Sequence, residues 1–353
     1  MTGSADPGQG AGLWAAAKLL VLVAVTAAGV VLVWYLAQVL LLFFGAVLVA
    51  ILLRSIAGPV ARYTPIPDRV AVALAALLIL VLVAGFVVLL GTQIRAQGAA
   101  LLERLPDLVQ AVENQLGADP LREWLQQQQQ VQGFDGRDLV AGLAGFTTRA
   151  ITAAAKLLVV LAAGIYLALA PELYLSGILR LVPPSRQDEV RGTLEALGRA
   201  LKLWLVGQLA AMAVVGTLVT LGLMVLGISS ALALGFMAGL LEFVPFVGPV
   251  ASAIPAVASG LTDGGLHTAF WVAGLFVVVQ QMEGILIQPL LQQRTASVPP
   301  VLTIFAVLGF GVLFGPLGLL LGTPLAVVCL VLVEKLWVRE VLHEKVTVPG
   351  EEA

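Results

Sequence analysis

The chain has 353 residues, 60% of them hydrophobic and 11% charged, with a formal net charge of −2. A charged share far below the roughly 25% of soluble domains excludes an ordinary water-soluble fold, and so small a net charge gives no footing for nucleic-acid binding. Two histidines and a single cysteine, Cys329, leave no intrachain disulfide and almost no support for a transition-metal site.

Residues 1–12 are short and Gly-rich, without the basic start of a secretory signal, and read as a disordered leader. Hydropathy then predicts helical segments near 13–35, 37–53, 70–92, 150–171, 204–227, 230–260, 267–288 and 301–335. About eight hydrophobic segments, each fit for a span of roughly 20 residues, define an all-α membrane protein. The first two are expected to form a tight hairpin around Gln38, and with the third they make a unit of three transmembrane helices over 13–91. The link before the third helix holds Arg54, Arg62 and Arg69 against Asp68, with Pro59, Pro65 and Pro67 as helix stops. Its basic excess assigns it to the cytoplasmic side.

Residues 92–149 are the longest polar stretch, with five Arg and seven acids. Leu101, Leu105, Leu108, Val112 and Leu116 recur there at helical spacing, so the segment reads as amphipathic and extramembrane. Gln126–Gln130 is a solvated low-complexity linker. Residues 150–202 supply a transmembrane helix and then a cytoplasmic amphipathic helix over 183–202, in which Leu194, Leu197, Leu201 and Trp204 share one side. That helix is expected to lie along the membrane surface. Residues 203–337 form the expected transport core and 338–353 a cytoplasmic tail.

From Leu203 to Gln293 the only charged side chains are Glu242, Asp263 and Glu283. An ionisable group at membrane depth is unfavourable, so it marks a candidate path for ions or substrate. Glu242 opens the run Glu242-Phe243-Val244-Pro245-Phe246-Val247-Gly248-Pro249, where helix breakers interrupt an apolar segment. Two arms of about 14 residues are short for full spans, which predicts a re-entrant hairpin over 230–260. Residues 301–335 repeat the pattern, breaking at Phe314-Gly315-Pro316-Leu317-Gly318 with Pro324 further on, and predict a second hairpin from the opposite face. Opposed broken hairpins are the pattern of transporters with a site near the midplane.

The candidate substrate or ion pathway is therefore Glu242, Pro245, Gly248, Pro249, Gln208, Gln280, Gln281, Glu283, Gly315, Pro316, Gly318 and Pro324. Glu242 reads either as a cation- or proton-responsive carboxylate or as a helix-end acid bonded to freed backbone N–H groups. Gln280 and Glu283, three residues apart, share a face; Glu283 either serves the pathway or pairs with Arg294. Gln208 either lines the cavity or bonds a neighbouring helix. Asp263, among glycines, reads as a solvated turn acid, and His267 as an interfacial residue. Gly85, Gly164, Gly216 and Gly222 read as helix-packing positions, and Cys329 as a small buried hydrophobe.

These residues bring a family with them. The run from Glu242 to Pro249, followed by Pro255, Gln280-Gln281-Met282-Glu283, Pro289, Pro299, Phe314-Gly315-Pro316-Leu317-Gly318 and Pro324, resembles the signature of the autoinducer-2 exporter family. Gly207-Gln208 fits it as well. The resemblance covers most of the chain and is strongest over 200–335. It implies a multi-pass protein of the bacterial inner membrane, with members linked to export of a furanone-type signal and others to sodium–proton antiport. Gly284 stands where an Asn is common in the family, and Val298 where a His is common.

The expected function is a secondary transporter or facilitator exporting a small polar or amphiphilic molecule. The alternatives are a cation–proton antiporter and a non-transporting structural membrane protein. No catalytic constellation, phosphate loop or cofactor motif is present, so neither an enzyme nor a cofactor is expected. The expected partners are the bilayer, a small-molecule or cation substrate, and further copies of the chain in a homo-oligomer.

Overall fold

The computed structural model describes residues 7–85, 88, 155–287 and 299–343. The amphipathic segment expected over 92–149 and the tail beyond 343 lie outside the described residues, as do Pro289 and Arg294. Five described helices are long and apolar enough to cross a membrane, or six when one bent pair counts as a span. The described residues contain helix and turn without strand.

Helix α1 runs unbroken over Pro7–Tyr63. This corrects two expectations. Pro7 pre-sets the first turn, so the helix begins inside the segment read as a leader. No hairpin forms at Gln38, because from Val30 to Phe44 there is no Gly or Pro to stop the helix. At 57 residues the rod is about 85 Å long, far more than one bilayer. Its membrane-length part is Trp34–Tyr63.

Helix α2, Asp68–Gly85, and helix α3, Ala155–Leu169, pack on that part. Ala50, Leu53 and Ala57 meet Ala71, Val72, Ala75 and Ala168 in one buried cluster. Small side chains here bring backbones close, as membrane packing without a hydrophobic driving force requires. Arg54 ties the three ends together, Nε donating to the Ala168 carbonyl at 2.7 Å and Nη1 to Asp68 at 2.9 Å. Ala170 is non-helical ahead of Pro171, and helix α4, Pro171–Leu179, leaves α3 at 85°.

A short 3-10 turn, Pro184–Arg186, leads into helix α5, Gln187–Val225. The amphipathic entry expected over 183–202 and the span after it are one helix, since nothing between Lys202 and Leu203 breaks it. Thr193, Ala196, Ala200, Trp204, Gly207, Ala211, Val215, Val219 and Leu223 form its buried stripe, at the three- and four-residue steps of a helix face. The stripe starts on Thr193 and Ala196 rather than on the bulkier Leu194 and Leu197.

Both broken segments fold back on themselves. Helix α6, Ala231–Leu241, is followed by turn residues 242–246 and helix α7, Val247–Met282. Within α7, Gly265 has φ 73° and ψ −165°, a backbone that L side chains rarely adopt, and the chain reverses there. Gly260 consequently sits on Ala269 and Val272. The base of this first hairpin is closed by Asp263, whose Oδ2 accepts from Ser229 N at 3.0 Å and Ser229 Oγ at 2.9 Å.

Helix α8, Pro300–Leu332, reverses at Gly315 (φ 66°, ψ −148°), which sets Gly311 against Leu319 and Gly322 against Val307. The base of the first hairpin adjoins the C-terminal end of α5, where Ser229 follows Val225. The base of the second adjoins the N-terminal part of α5, where Lys335 Nζ would lie 3.6 Å from a Cβ on Gly192. The two hairpins thus enter along α5 from opposite ends. Cys329, read as buried, is exposed on the outer surface of α8.

Candidate functional site

The tip of the first hairpin rests on the middle of α5. Trp204 and Gln208, one turn apart, present one face. The Trp204 and Phe243 rings meet edge to face with centroids 5.8 Å apart. Gln208 Nε2 donates to the main-chain carbonyl of Glu242 at 2.7 Å. That carbonyl ends α6 and has no helical partner, because the chain turns at 242–246. An amide from a neighbouring helix satisfies it.

Glu242 is 1% exposed. Its Oε2 has no hydrogen-bond partner among the described residues. The reading of Glu242 as an acid tied to freed N–H groups therefore leaves one oxygen unaccounted for. The carboxyl of Glu283 lies near enough to that of Glu242 for the two to interact electrostatically. Glu283 is 5% exposed, and its Oε2 accepts from Gln280 Nε2 at 2.8 Å. Glu283 also opens a π turn, Glu283–Ile287, an irregularity that often sits at functional positions.

Gln208, Glu242, Gln280 and Glu283 are thus gathered from three elements into one polar cluster inside apolar surroundings. Gln281, expected with them, is exposed on another face of α7. Pro245 lies in the turn, while Gly248 and Pro249 form the first turn of α7. A Cβ on Gly248 would collide with the Leu241 carbonyl oxygen, so only glycine lets α7 start this close to the end of α6. Phe246, just before it, holds φ 67°, a strained value for an aromatic residue.

Gly315, Pro316, Gly318 and Pro324 belong to the second hairpin and do not touch the carboxyl cluster through any described hydrogen bond. Its tip reaches the same apolar core, in which Phe314, Leu317 and Phe243 pack around Trp204, Leu205, Leu321 and Val327. Phe314 also stands 6.1 Å from Trp34 of α1. Gly318 and Pro324 are buried within α8.

Some contributors were missed in the sequence. Gly235 and Gly239 of α6 press on Thr220, Gly216 and Met212 of α5; their four-residue spacing is the signal that would have found them. Gly164, Gly216 and Gly222 do make close contacts, whereas Gly85 has open space around it. Glu334, in the π turn Val333–Arg339 that follows α8, carries a second buried carboxylate oxygen without a hydrogen-bond partner among the described residues. An apolar groove of about 680 Å³ runs between α2, α5 and α6, past Val81, Met212, Leu221 and Phe236. Thr217 and Thr220 on its wall spend their hydroxyls on the Ala213 and Gly216 carbonyls of their own helix. Among the described residues no group of three or more His, Cys, Asp or Glu could hold a metal ion.

Known proteins are similar to this chain in sequence. The family model described as AI-2E family transporter matches residues 20–337. The chain is 31% identical over 146 residues to "Putative transport protein YueF" of Bacillus subtilis (strain 168), an alignment covering 41% of this chain and 39% of that protein. It is 33% identical over 124 residues to "Putative transport protein YhhT" of Escherichia coli (strain K12), covering 35% of this chain and 34% of the relative. These alignments therefore span little more than a third of either relative. Similarity to "AI-2 transport protein TqsA" of Escherichia coli (strain K12) is 27% over 101 residues, 29% of each chain. With the family model matching nearly the whole chain, over two opposed hairpins and a buried carboxyl cluster, this multi-pass membrane protein belongs to the AI-2E transporter family.

Proposed function

We propose that the chain is a secondary transporter that exports a small polar or amphiphilic molecule, a signal of the autoinducer-2 type being the first substrate to test. The observation that carries this reading is Glu242, 1% exposed at the tip of a broken hairpin with one carboxylate oxygen unpartnered. A buried acid beside unwound backbone is unfavourable for folding and is retained where passage needs it. The name of the relative TqsA supports the choice of substrate class. The site is bounded by Glu242, Glu283, Gln280 and Gln208 on one side and by the tip at Gly315 and Pro316 on the other. Rocking of residues 203–335 against the first three helical segments alternates access. No step of this scheme needs enzyme chemistry or a cofactor.

A second reading is cation–proton antiport, favoured by the meeting of the Glu242 and Glu283 carboxyls. Two carboxyls at close range can exchange a cation for a proton. On both readings the protein sits in the bacterial inner membrane with its Arg-bearing links at 54–69 and 180–202 and its C-terminus in the cytoplasm, and assembles as a homo-oligomer.

The test is flux in liposomes containing the purified protein, with Na⁺, H⁺ and furanone-type solutes compared under imposed ion gradients. Furanone movement that Glu242→Gln abolishes supports export. Na⁺-driven proton movement without furanone movement selects the antiporter. No flux of any solute under any gradient sinks both and leaves a structural role.

A further inference from the structure

The junction between the first three spans and the hairpin core is a short helix turned across the direction of the spans. Helix α4 leaves α3 at 85°, and the bend is fixed where Arg54 binds the Ala168 carbonyl at 2.7 Å. Leu173, Tyr174, Ile178 and Leu181 are exposed, at 67%, 40%, 44% and 88%. With 100° per residue Leu173, Tyr174 and Ile178 fall within an arc of about 140°, and Leu181 lies in the turn just beyond the helix. Leu179, on the opposite side, is buried. Glu172, on that same side, lies 4.0 Å from Arg191 of α5.

Such a surface facing water would be a contiguous apolar patch with nothing to cover it. On the other side of the bend α3, a membrane-spanning segment, likewise exposes Leu158, Val159, Tyr166 and Leu169. Arg180 follows the helix directly and Arg186 comes after Pro183-Pro184, both exposed. An apolar face with cations at its margin, set perpendicular to a span, has the chemistry of the boundary between acyl chains and phosphates. Ser176, the polar side chain inside the helix, spends its hydroxyl on the Leu173 carbonyl at 3.0 Å and leaves no hydrogen bond unmet in that setting.

We propose that α4 is an interfacial helix, lying in the plane of the bilayer with Leu173, Tyr174 and Ile178, and Leu181 of the turn after it, among phospholipid acyl chains and Arg180 and Arg186 at the phosphates. The lipid surface is its partner. The helix anchors the junction through which α5 and the hairpins connect to α1, α2 and α3. This inference is independent of what the protein transports.

Site-directed spin labelling tests it with the full chain in phospholipid nanodiscs. In a Cys329→Ser background, single labels are placed through Leu173→Cys, Tyr174→Cys and Ile178→Cys, with Glu195→Cys on the half-exposed surface of α5 as the aqueous reference. The expected result is collision with oxygen favoured over collision with a water-soluble nickel chelate by about threefold or more at the three α4 positions, and the reverse at Glu195. Nickel access at α4 equal to that at Glu195 would overturn the proposal. So would loss of access to both reagents, which would mean that protein covers the face. The three positions are independent, so a variant that fails to reconstitute leaves two that decide.

Discussion

Gln208 and Glu242 are joined by a 2.7 Å hydrogen bond from the side-chain amide of one to the main-chain carbonyl of the other, across 34 residues of sequence. The bond closes the free end of α6 onto the middle of α5, so it positions the hairpin tip without using the Glu242 carboxyl. Anchoring and chemistry are thereby separated within one residue.

Gln208→Leu should release that carbonyl and lower stability in detergent by about 0.6 kcal/mol, and by no more than about 1.7 kcal/mol, the average and the upper end for hydrogen bonds between membrane helices. Thermal unfolding followed by fluorescence reads the change. An unchanged midpoint would show that the tip is held by packing of Phe243 on Trp204 alone.

Glu242→Gln keeps the shape and the main-chain bond while removing the charge. Flux in liposomes should fall about tenfold or more, because an intramembrane acid is retained for passage. The exposed Gln281 provides the control, and Gln281→Ala should leave flux unchanged. Equal losses in both variants would argue against a localised carboxyl site.

Gly248→Ala introduces a methyl group into the Leu241 carbonyl, a backbone atom that cannot rotate away. A loss of about 1–3 kcal/mol is expected from overpacking. Gly315→Ala tests a different cause, since open space surrounds that position but its φ is +66°. Here about 1–3 kcal/mol should come from backbone strain alone. Unfolding midpoints of the two variants, measured side by side, check both values.

Arg54→Ala removes two bonds at once, one to Ala168 and one to Asp68. The ion pair is 37% and 57% exposed, so Asp68→Asn alone should cost only about 0.2–1 kcal/mol. Arg54→Ala should exceed it by the bond to the end of α3. A double-mutant cycle over the two sites isolates the pair.

Much of the architecture was legible in the chain because the bilayer allows few solutions. Apolar runs had to be helices, and Pro245, Gly248 and Gly315 inside them had to be breaks. The unbroken α1 was not legible as such, since the largely apolar 41-residue stretch from Leu13 to Leu53 fits two spans by length, and only the absence of a breaker around Gln38 decides for one helix. The same reasoning merged the amphipathic entry with α5.

The sequence by itself determined a helical membrane protein with two interrupted hairpins and three acids in its apolar core region, because hydropathy and helix breakers act locally. It also placed Gln280 and Glu283 on one face, since that follows from helical spacing. Tertiary structure alone decided that Glu242 meets Glu283, that Gln208 takes the Glu242 carbonyl, that Gln281 turns outward, and that Asp263 closes a hairpin base. Each of those depends on how elements tens of residues apart cross one another, and crossing is set by packing of Gly216 on Gly239 and of Phe243 on Trp204; a local pattern can mark such a position but not its partner.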